Sequence, residues 1–196
     1  MENIKEVQIG SQIWMAENLN VLELSNGDVI KEAQSDLDWA ECDANGVPAW
    51  CYYDKDDGKG AKYGKLYNQF VLNTEFNIME GWRLPSNNDW KQLAEFLGGE
   101  SIAGSSLKSK KSWKNNGNGT NDSGFNVLPA GGRFDNQIFM GEKQRAHFWS
   151  SPITKDGSFP FVFVMFAILL SRKVCTYFVQ VGKFDNKDLL LPQDVC

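Results

Sequence analysis

The chain has 196 residues, which suits one domain with a sizeable hydrophobic core. Hydrophobic residues make up 42% of it and aromatic residues 13%, a composition that excludes an intrinsically disordered protein. The formal net charge of −5 disfavours nonspecific attraction to nucleic acid or to an anionic membrane, so we expect no nucleic-acid partner.

The sequence predicts no transmembrane segment. No secretory signal precedes the first predicted strand, which predicts a cytoplasmic protein or a chain trimmed of its leader. The apolar run 159–170 is shorter than the roughly 20 residues of a transmembrane helix, so we interpret it as one or two buried strands. With no repeat and no linker visible, 1–196 is predicted to be a single domain.

The metal-binding residue types give little support for a metal site. The chain has 4 cysteines and 1 histidine, and no two cysteines form a C-x-x-C pair. Cys42 and Cys51 could bridge across a loop, but we favour two free thiols. We therefore predict no metal and no cofactor.

The clearest predicted element is a helix over residues 86–97, entered through Trp-Arg-Leu-Pro at 82–85. Ser86 is a good helix cap, and Asp89 can reach back to the Ser86 N–H. Four apolar residues then recur at helical spacing, and two glycines end the pattern. The apolar residues are Trp90, Leu93, Ala94 and Leu97, followed by Gly98 and Gly99.

The first half of the chain alternates between short extended segments and turns. Residues 7–15 predict a hairpin around a Gly-Ser turn, and 49–53 a strand. A short helix capped by Ser35 is predicted over 35–41. The acidic segment 54–60 superficially resembles a calcium loop, but it lacks the required downstream Glu, so we predict a solvated acidic turn.

The second half is rich in predicted surface segments. The basic run 108–111 is interpreted as a solvated face, and 115–122 as a polar surface loop. Residues 124–134 predict a strand entering a glycine corner, 139–142 a turn, and 146–151 another strand.

Catalytic motifs are absent from this sequence. It contains no Gly-x-Ser-x-Gly elbow and no phosphate-binding loop of the Gly-Lys-Ser/Thr type. A nucleophile–histidine system would have to use His147, which lies in an apolar strand and is expected to be partly buried and bonded to backbone. The chain has enough carboxylates for the catalytic pair of a glycosidase, but no two of them sit in a recognisable catalytic setting.

Six ordered segments resemble one bacterial family, the Fibrobacter succinogenes major paralogous domain, over roughly residues 7–151. The segments are IGSQIWMAENLN (9–20), PAWCYYD (48–54), YGKLYN (63–68), GWRLPS (81–86), GFNVLPAGGR (124–133) and FWSS (148–151).

The resemblance implies an α+β domain of C-type lectin-like fold, with helices packed on small twisted antiparallel sheets under long loops. Family members occur in surface or secreted proteins of Fibrobacter and Bacteroides relatives, so the resemblance implies a noncatalytic binding or adhesion module. The fold is also similar to the formylglycine-generating enzymes, but no motif around Cys175 or Cys196 matches their reactive cysteines. The tripeptides with which calcium-dependent lectins bind sugar are absent as well.

The end of the chain departs from the family. Residues 152–196 show nothing like the family's terminal Gly-Phe-Ser-Val-Arg-Cys-Val strand. Read one frame away, the codons of residues 193–196 permit Arg, Cys and an apolar residue in succession. This suggests the hypothesis that the tail is a frame-shifted version of the family ending.

We predict that the binding face is formed by polar loops, with one tryptophan as a stacking platform for sugar. The candidate residues are Trp113, Asn115, Asn118, Asp122, Asp135, Asn136 and Arg145. The expected ligand is a glycan or a protein. Two alternatives stay open: an enzyme, related to the formylglycine-generating group or using a carboxylate cleft, and a structural assembly domain using the apolar C-terminal run.

Overall fold

The computed structural model describes most of the chain between its first residues and the end of the sixth motif, and three short strands beyond it. The described residues are 4–72, 79, 81–134 and 138–150, together with the backbone of 161–164, 176–177 and 182–183.

Helices and short strands alternate along these residues, which makes the fold mixed α+β. The helices described are α1 (Asp36–Ala44), α2 (Asp57–Tyr63), α3 (Asn87–Phe96) and α4 (Glu100–Leu107). The first strands are β1 (Glu6–Ile9), β2 (Gln12–Met15), β3 (Lys31–Glu32), β4 (Ala49–Cys51) and β5 (Leu66–Asn68). The later strands are β6 (Ala130–Arg133), β7 (Phe139–Glu142), β8 (Ala146–Trp149), β9 (Phe161–Val164), β10 (Thr176–Tyr177) and β11 (Gly182–Lys183).

Helix α3 confirms the clearest sequence prediction. The Ser86 hydroxyl accepts the Asp89 N–H at 3.2 Å, and the Asp89 carboxylate accepts the Ser86 N–H at 2.6 Å, which completes a capping box. Trp90 and Leu93 are buried as the apolar stripe requires. The short helix capped by Ser35 is confirmed too, since α1 begins with a capping box of the same kind.

The segment before α3 is tied to the helix start by a two-point ion pair. The Arg83 guanidinium donates to both carboxylate oxygens of Asp89, at 2.8 and 3.2 Å. Asp89 is buried, so this single carboxylate both caps the helix and neutralises the arginine. The Trp-Arg-Leu-Pro bend and the helix therefore form one hydrogen-bonded unit.

The strands form two sheets. Strands β1 and β2 make the predicted hairpin, and β11 joins it in the order β1-β2-β11. The second sheet follows the order β3-β4-β5-β10-β6-β8-β9, with β7 paired to β6. The described strand pairings are antiparallel, as expected, except for two parallel ones, β3 with β4 and β6 with β8.

Two local predictions are also wrong. Residues 139–142, predicted as a turn, form β7, and the turn follows at 143–144. Much of the acidic segment 54–60 lies in α2, whose first N–H groups are capped when the Asp56 carboxylate accepts the Lys59 N–H at 2.7 Å.

An aromatic cluster connects the hairpin, α3 and β8. Trp90 packs against Trp14 with ring centroids 4.7 Å apart and against Phe148 at 5.5 Å. Phe125 lies 5.4 Å from Trp14 and closes the cluster from the side of the following loop. Because these residues come from four separate segments, the cluster holds the two sheets and α3 together.

The remaining sequence predictions concern single residues and the tail. Cys42 and Cys51 are buried free thiols, as predicted, whereas Cys175 and Cys196 lie outside the described residues. His147 is fully buried rather than partly buried, and burial lowers its pKa to about 3. Of the apolar run 159–170, residues 161–164 form β9, and no described helix has the length and apolarity needed to cross a bilayer.

Candidate functional site

The predicted polar loop and the turn between β7 and β8 come together at the surface. The Lys114 N–H donates to the Lys143 carbonyl at 2.7 Å, although the two residues are far apart in sequence. The Lys143 N–H in turn donates to the Pro129 carbonyl at 2.8 Å. We call residues 112–122 together with 143–145 the loop face.

A buried lysine supports the loop face from below. Lys108 is buried, and its ammonium donates to the Gly117 carbonyl at 2.7 Å while lying 5.2 Å from the centroid of the Trp113 ring. Burial lowers the pKa of Lys108. The interpretation of 108–111 as a solvated face is therefore wrong for Lys108 and for buried Ser109, and correct for exposed Lys110 and Lys111.

The loop also packs directly against the backbone around the end of α4. The Gly119 N–H donates to the Ser109 carbonyl at 3.0 Å. A Cβ atom at position 119 would lie 2.4 Å from the carbonyl oxygens of both Ser105 and Lys108, which no side chain tolerates. Glycine is thus required here by the close approach of two backbone segments.

Left-handed backbone is concentrated in the loop face. Positive φ angles occur at Ser112 (84°), Asn115 (55°), Asn116 (57°), Asn121 (52°) and Lys143 (64°). Asparagine tolerates this conformation better than most residues, which explains its abundance in the segment.

Side chains hold this backbone in place. The Asn118 side-chain oxygen accepts the Trp113 N–H at 3.1 Å. That of Asn121 accepts the Asn126 N–H at 2.7 Å. The loop is therefore a specified structure rather than a mobile connection.

Trp113 is not the stacking platform that the sequence predicted. It is only 8% exposed, belongs to the hydrophobic core, and donates its indole N–H to the Ser109 hydroxyl at 3.0 Å. The ring packs inward because it joins the hydrophobic core cluster formed by remote segments of the chain. A buried ring has no free face for a sugar.

The other predicted residues divide into three groups. Asn115, Asn118 and Asp122 are exposed, and Arg145 is half-buried beside the loop in the adjoining turn. Asp122 lies in a turn whose Ser123 N–H donates to the Ser106 carbonyl of α4 at 3.3 Å. Asp135 and Asn136 lie outside the described residues.

The loop face is rich in positive charge although the whole chain is acidic. Lys114 and Lys143 are exposed on it, close to exposed Lys110 and Lys111 and to Arg145. Sequence reasoning missed Lys114 and Lys143, because no local pattern joins two lysines that only a backbone hydrogen bond between distant segments brings together. This concentration of cations disfavours a cationic ligand.

A second charged region lies where α2 meets β7. The Lys59 ammonium bridges Asp54 at 2.5 Å and Glu142 at 3.1 Å, and the Tyr63 hydroxyl donates to Glu142 at 3.2 Å. Burial acts to raise the pKa of Glu142, but the hydrogen bond and charge of Lys59 outweigh it and lower that pKa. This arrangement is a network of ionised partners.

The described carboxyl groups with displaced pKa values all shift the same way. The hydrogen bond from Lys55 lowers the pKa of Asp36, and the hydrogen bonds from Ser35 lower the pKa of Asp38. The pKa of Glu142 is lowered as well. A general acid at neutral pH needs a raised pKa, so these three groups do not supply one. Within the described part of the chain, no group of three or more His, Cys, Asp or Glu residues is arranged so that it could hold a metal ion.

The fold and its loop face define a mixed α+β domain with a preformed polar surface. The chain belongs to the Fibrobacter succinogenes major domain family, whose model matches residues 7–177, and the resemblance read from the motifs is confirmed. The match continues past residue 151 through β9 and β10, so the expectation that the chain departs from the family after residue 151 is wrong for residues 152–177. Comparison with curated proteins and with solved structures finds no match. The frame-shift hypothesis for the tail stays a prediction.

Proposed function

We propose that this domain is a noncatalytic binding or adhesion module of C-type lectin-like fold, which acts at a bacterial surface or in secreted form. The loop face is its contact surface, and the ligand is a glycan or a protein. Family membership supports this proposal, as do the helices packed on short strands and the long loop segment between α4 and β6.

The observation that carries the proposal is the preformed state of the loop face. A buried ammonium, a required glycine and asparagine side chains fix its backbone before any ligand arrives. A surface that is already ordered avoids the entropy cost of ordering on binding. A polar loop that served only as a connection would not need so many supporting contacts.

The chemistry exposed on this surface narrows the ligand. Asn115 and Asn116 present side-chain amides that make no hydrogen bond within the described residues, so both can donate to and accept from a ligand. Lys114 and Lys143 add positive charge on either side of the backbone bond that joins the two segments. A neutral or anionic glycan, or an acidic peptide segment, fits this surface.

The test is binding to a glycan array, with and without calcium, by the natural chain and by Asn115→Gly/Asn116→Gly. Glycine keeps the left-handed backbone while removing both amides, so loss of binding reports the side chains and not the fold. Asn26→Gly, in the exposed turn at 26–28, is the matched control. We expect the double variant to bind at least about tenfold more weakly than the natural chain. The control variant should bind as tightly as the natural chain.

Assembly is a second candidate function, favoured by one observation. Among the described strands β7 pairs only with β6, and its residue Met140 is exposed, so the strand is an open sheet edge with an apolar side chain. Light scattering distinguishes the two functions. A defined oligomer that Met140→Lys dissociates, with neither a glycan nor an acidic peptide bound, supports assembly and contradicts the binding proposal.

A further inference from the structure

A pocket of about 300 Å³ lies away from the loop face, between the turn of the β1–β2 hairpin and the last turn of α3. This volume is at the small end of the range of known ligand sites, about 300–1,000 Å³. Its lining combines one aromatic ring with polar side chains. The lining includes Gly10, Ser11, Gln12, Gln92, Glu95 and Phe96.

Phe96 is the distinctive feature of this pocket. It is 64% exposed, whereas the other aromatic side chains that the structure describes between residues 4 and 150 are buried or half-buried. It lies outside the apolar stripe of α3, so the hydrophobic core does not account for it. Its ring packs against Gly10, where a Cβ atom would come within 2.9 Å of it. The ring is thus supported from one side and open to solvent over most of its surface.

The polar side chains beside the ring are oriented by the core. The Gln12 amide donates to the Asp89 carbonyl at 3.1 Å and to the Gln92 side-chain oxygen at 3.5 Å, and its own oxygen accepts the Trp14 indole N–H at 3.2 Å. Gln12 is buried and its three contacts fix its position. Gln92 is exposed and accepts this bond through its side-chain oxygen, so its NH₂ group remains a donor that a ligand can use.

The charge in the pocket disfavours an anionic ligand. The lining contains the Glu95 carboxylate and no lysine or arginine side chain, so a phosphate, sulfate or uronate group would be repelled there. Lys91, 3.9 Å from Glu95, is largely exposed and is not part of the lining. An exposed ring beside an amide, a carboxylate and the Ser11 hydroxyl matches the alternating apolar faces and hydroxyl groups of a neutral sugar.

We propose that this pocket binds one unit of a neutral saccharide, with Phe96 stacking on the sugar ring and Gln92 and Glu95 bonding its hydroxyl groups. The saccharide class rests on the proposed binding function, whereas the location rests on the pocket alone. Phe96 takes the stacking role that the sequence assigned to Trp113, whose ring is in the core.

The experiment titrates the ¹⁵N-labelled full chain with soluble hexasaccharides of glucose, xylose, mannose and N-acetylglucosamine, followed by NMR. At least one hexasaccharide is expected to shift the Gly10 backbone amide and the Gln92 side-chain amide. Phe96→Ala is expected to weaken that binding about tenfold, and Phe96→Tyr to retain it. Leu37→Ala removes a comparably exposed side chain from α1 and is expected to change nothing.

The outcomes separate this inference from the proposed function. Binding that Phe96→Ala leaves intact and Asn115→Gly/Asn116→Gly abolishes overturns the pocket and supports the loop face. Binding lost only with Phe96→Ala supports the pocket. A natural chain that binds none of the four hexasaccharides overturns the pocket, while the loop face is still judged by the anionic glycans of the array and by acidic peptides.

Discussion

Replacing Asp36 with asparagine should destabilise the domain more than removing the arginine with which it pairs. The Arg133 guanidinium donates to the Asp36 carboxylate at 2.9 Å, and the two side chains are 0% and 54% exposed. Arg133 also lies over the Trp39 ring at 4.5 Å and the Phe139 ring at 5.1 Å. In the described part of the chain, Asp36 is its one carboxylate partner.

The asymmetry follows from which partner is buried. Asp36→Asn leaves a desolvated guanidinium without its counter-charge, which costs about 3 kcal/mol, the low end for a broken buried pair because Asp36 itself is half exposed. Arg133→Met leaves a carboxylate that water and Lys55 still satisfy, and methionine fills the space between the two rings. We expect that variant to lose about 1 kcal/mol, mainly from the cation–π contacts.

Urea unfolding of both variants measures the difference. With a slope of about 2 kcal/mol per molar urea, Asp36→Asn should lower the midpoint by about 1.5 M and Arg133→Met by about 0.5 M. Equal slopes in all three proteins would confirm that the native states are compared with similar unfolded states. A midpoint for Arg133→Met at or below that of Asp36→Asn would refute the reasoning, because the buried charge would then be a net stabiliser.

The contribution of the Asp36 carboxylate to stability should depend on pH. The hydrogen bond from Lys55 lowers the folded-state pKa of Asp36, so its contribution is present above the unfolded pKa of about 3.9 and is lost as pH falls through the lower folded value. The stability gap between the natural chain and Asp36→Asn should therefore narrow below about pH 4. A gap that stays constant down to pH 2.5 would show that the carboxylate charge contributes nothing.

Three further predictions concern single residues. Ser86→Ala removes the hydroxyl that accepts the Asp89 N–H and should lower the free energy of unfolding, measured in urea, by about 1 kcal/mol. An unchanged free energy of unfolding would show that the cap does not stabilise the domain. Burial raises the pKa of the Cys51 thiol to about 11 and raises that of Cys42, so peptide mapping should find both unmodified by iodoacetamide at pH 8 until urea is added. Burial lowers the pKa of His147 to about 3, so its imidazole should stay neutral far below the usual value of about 6.5. Stability should fall as pH drops from about 6.5 towards 3, because the unfolded chain takes up the proton first. As the chain has 1 histidine, one proton NMR signal checks this, and a signal titrating near pH 6 would contradict it.

Elements with a local chemical signature were predictable from the sequence. Both capping boxes join residues three apart, at Ser35 with Asp38 and at Ser86 with Asp89, so the pattern is visible without knowing the fold. The β1–β2 hairpin around Gly10 is equally local. The family could be recognised for a related reason, since its ordered motifs survive as contiguous residues.

Local signals failed where a distant segment decided the outcome. The sequence predicts a solvated turn over 54–60, but Gly60 lies inside α2, where a Cβ atom would come 2.4 Å from the Tyr52 ring. Strand β7 was missed because it is its pairing with β6 that makes residues 139–142 extended. In both cases contact with another segment of the chain set the conformation.

The sequence by itself determined the family, the capped helices and the polar character of the loop between α4 and β6, because these depend on residue identity and on spacings of a few positions. Tertiary structure alone decided that Trp113 packs inward, that Arg133 is fully buried and that Phe96 stays exposed above Gly10. Whether a side chain meets solvent depends on which remote segment folds over it. That contact is made by residues tens of positions away, and no local spacing encodes it.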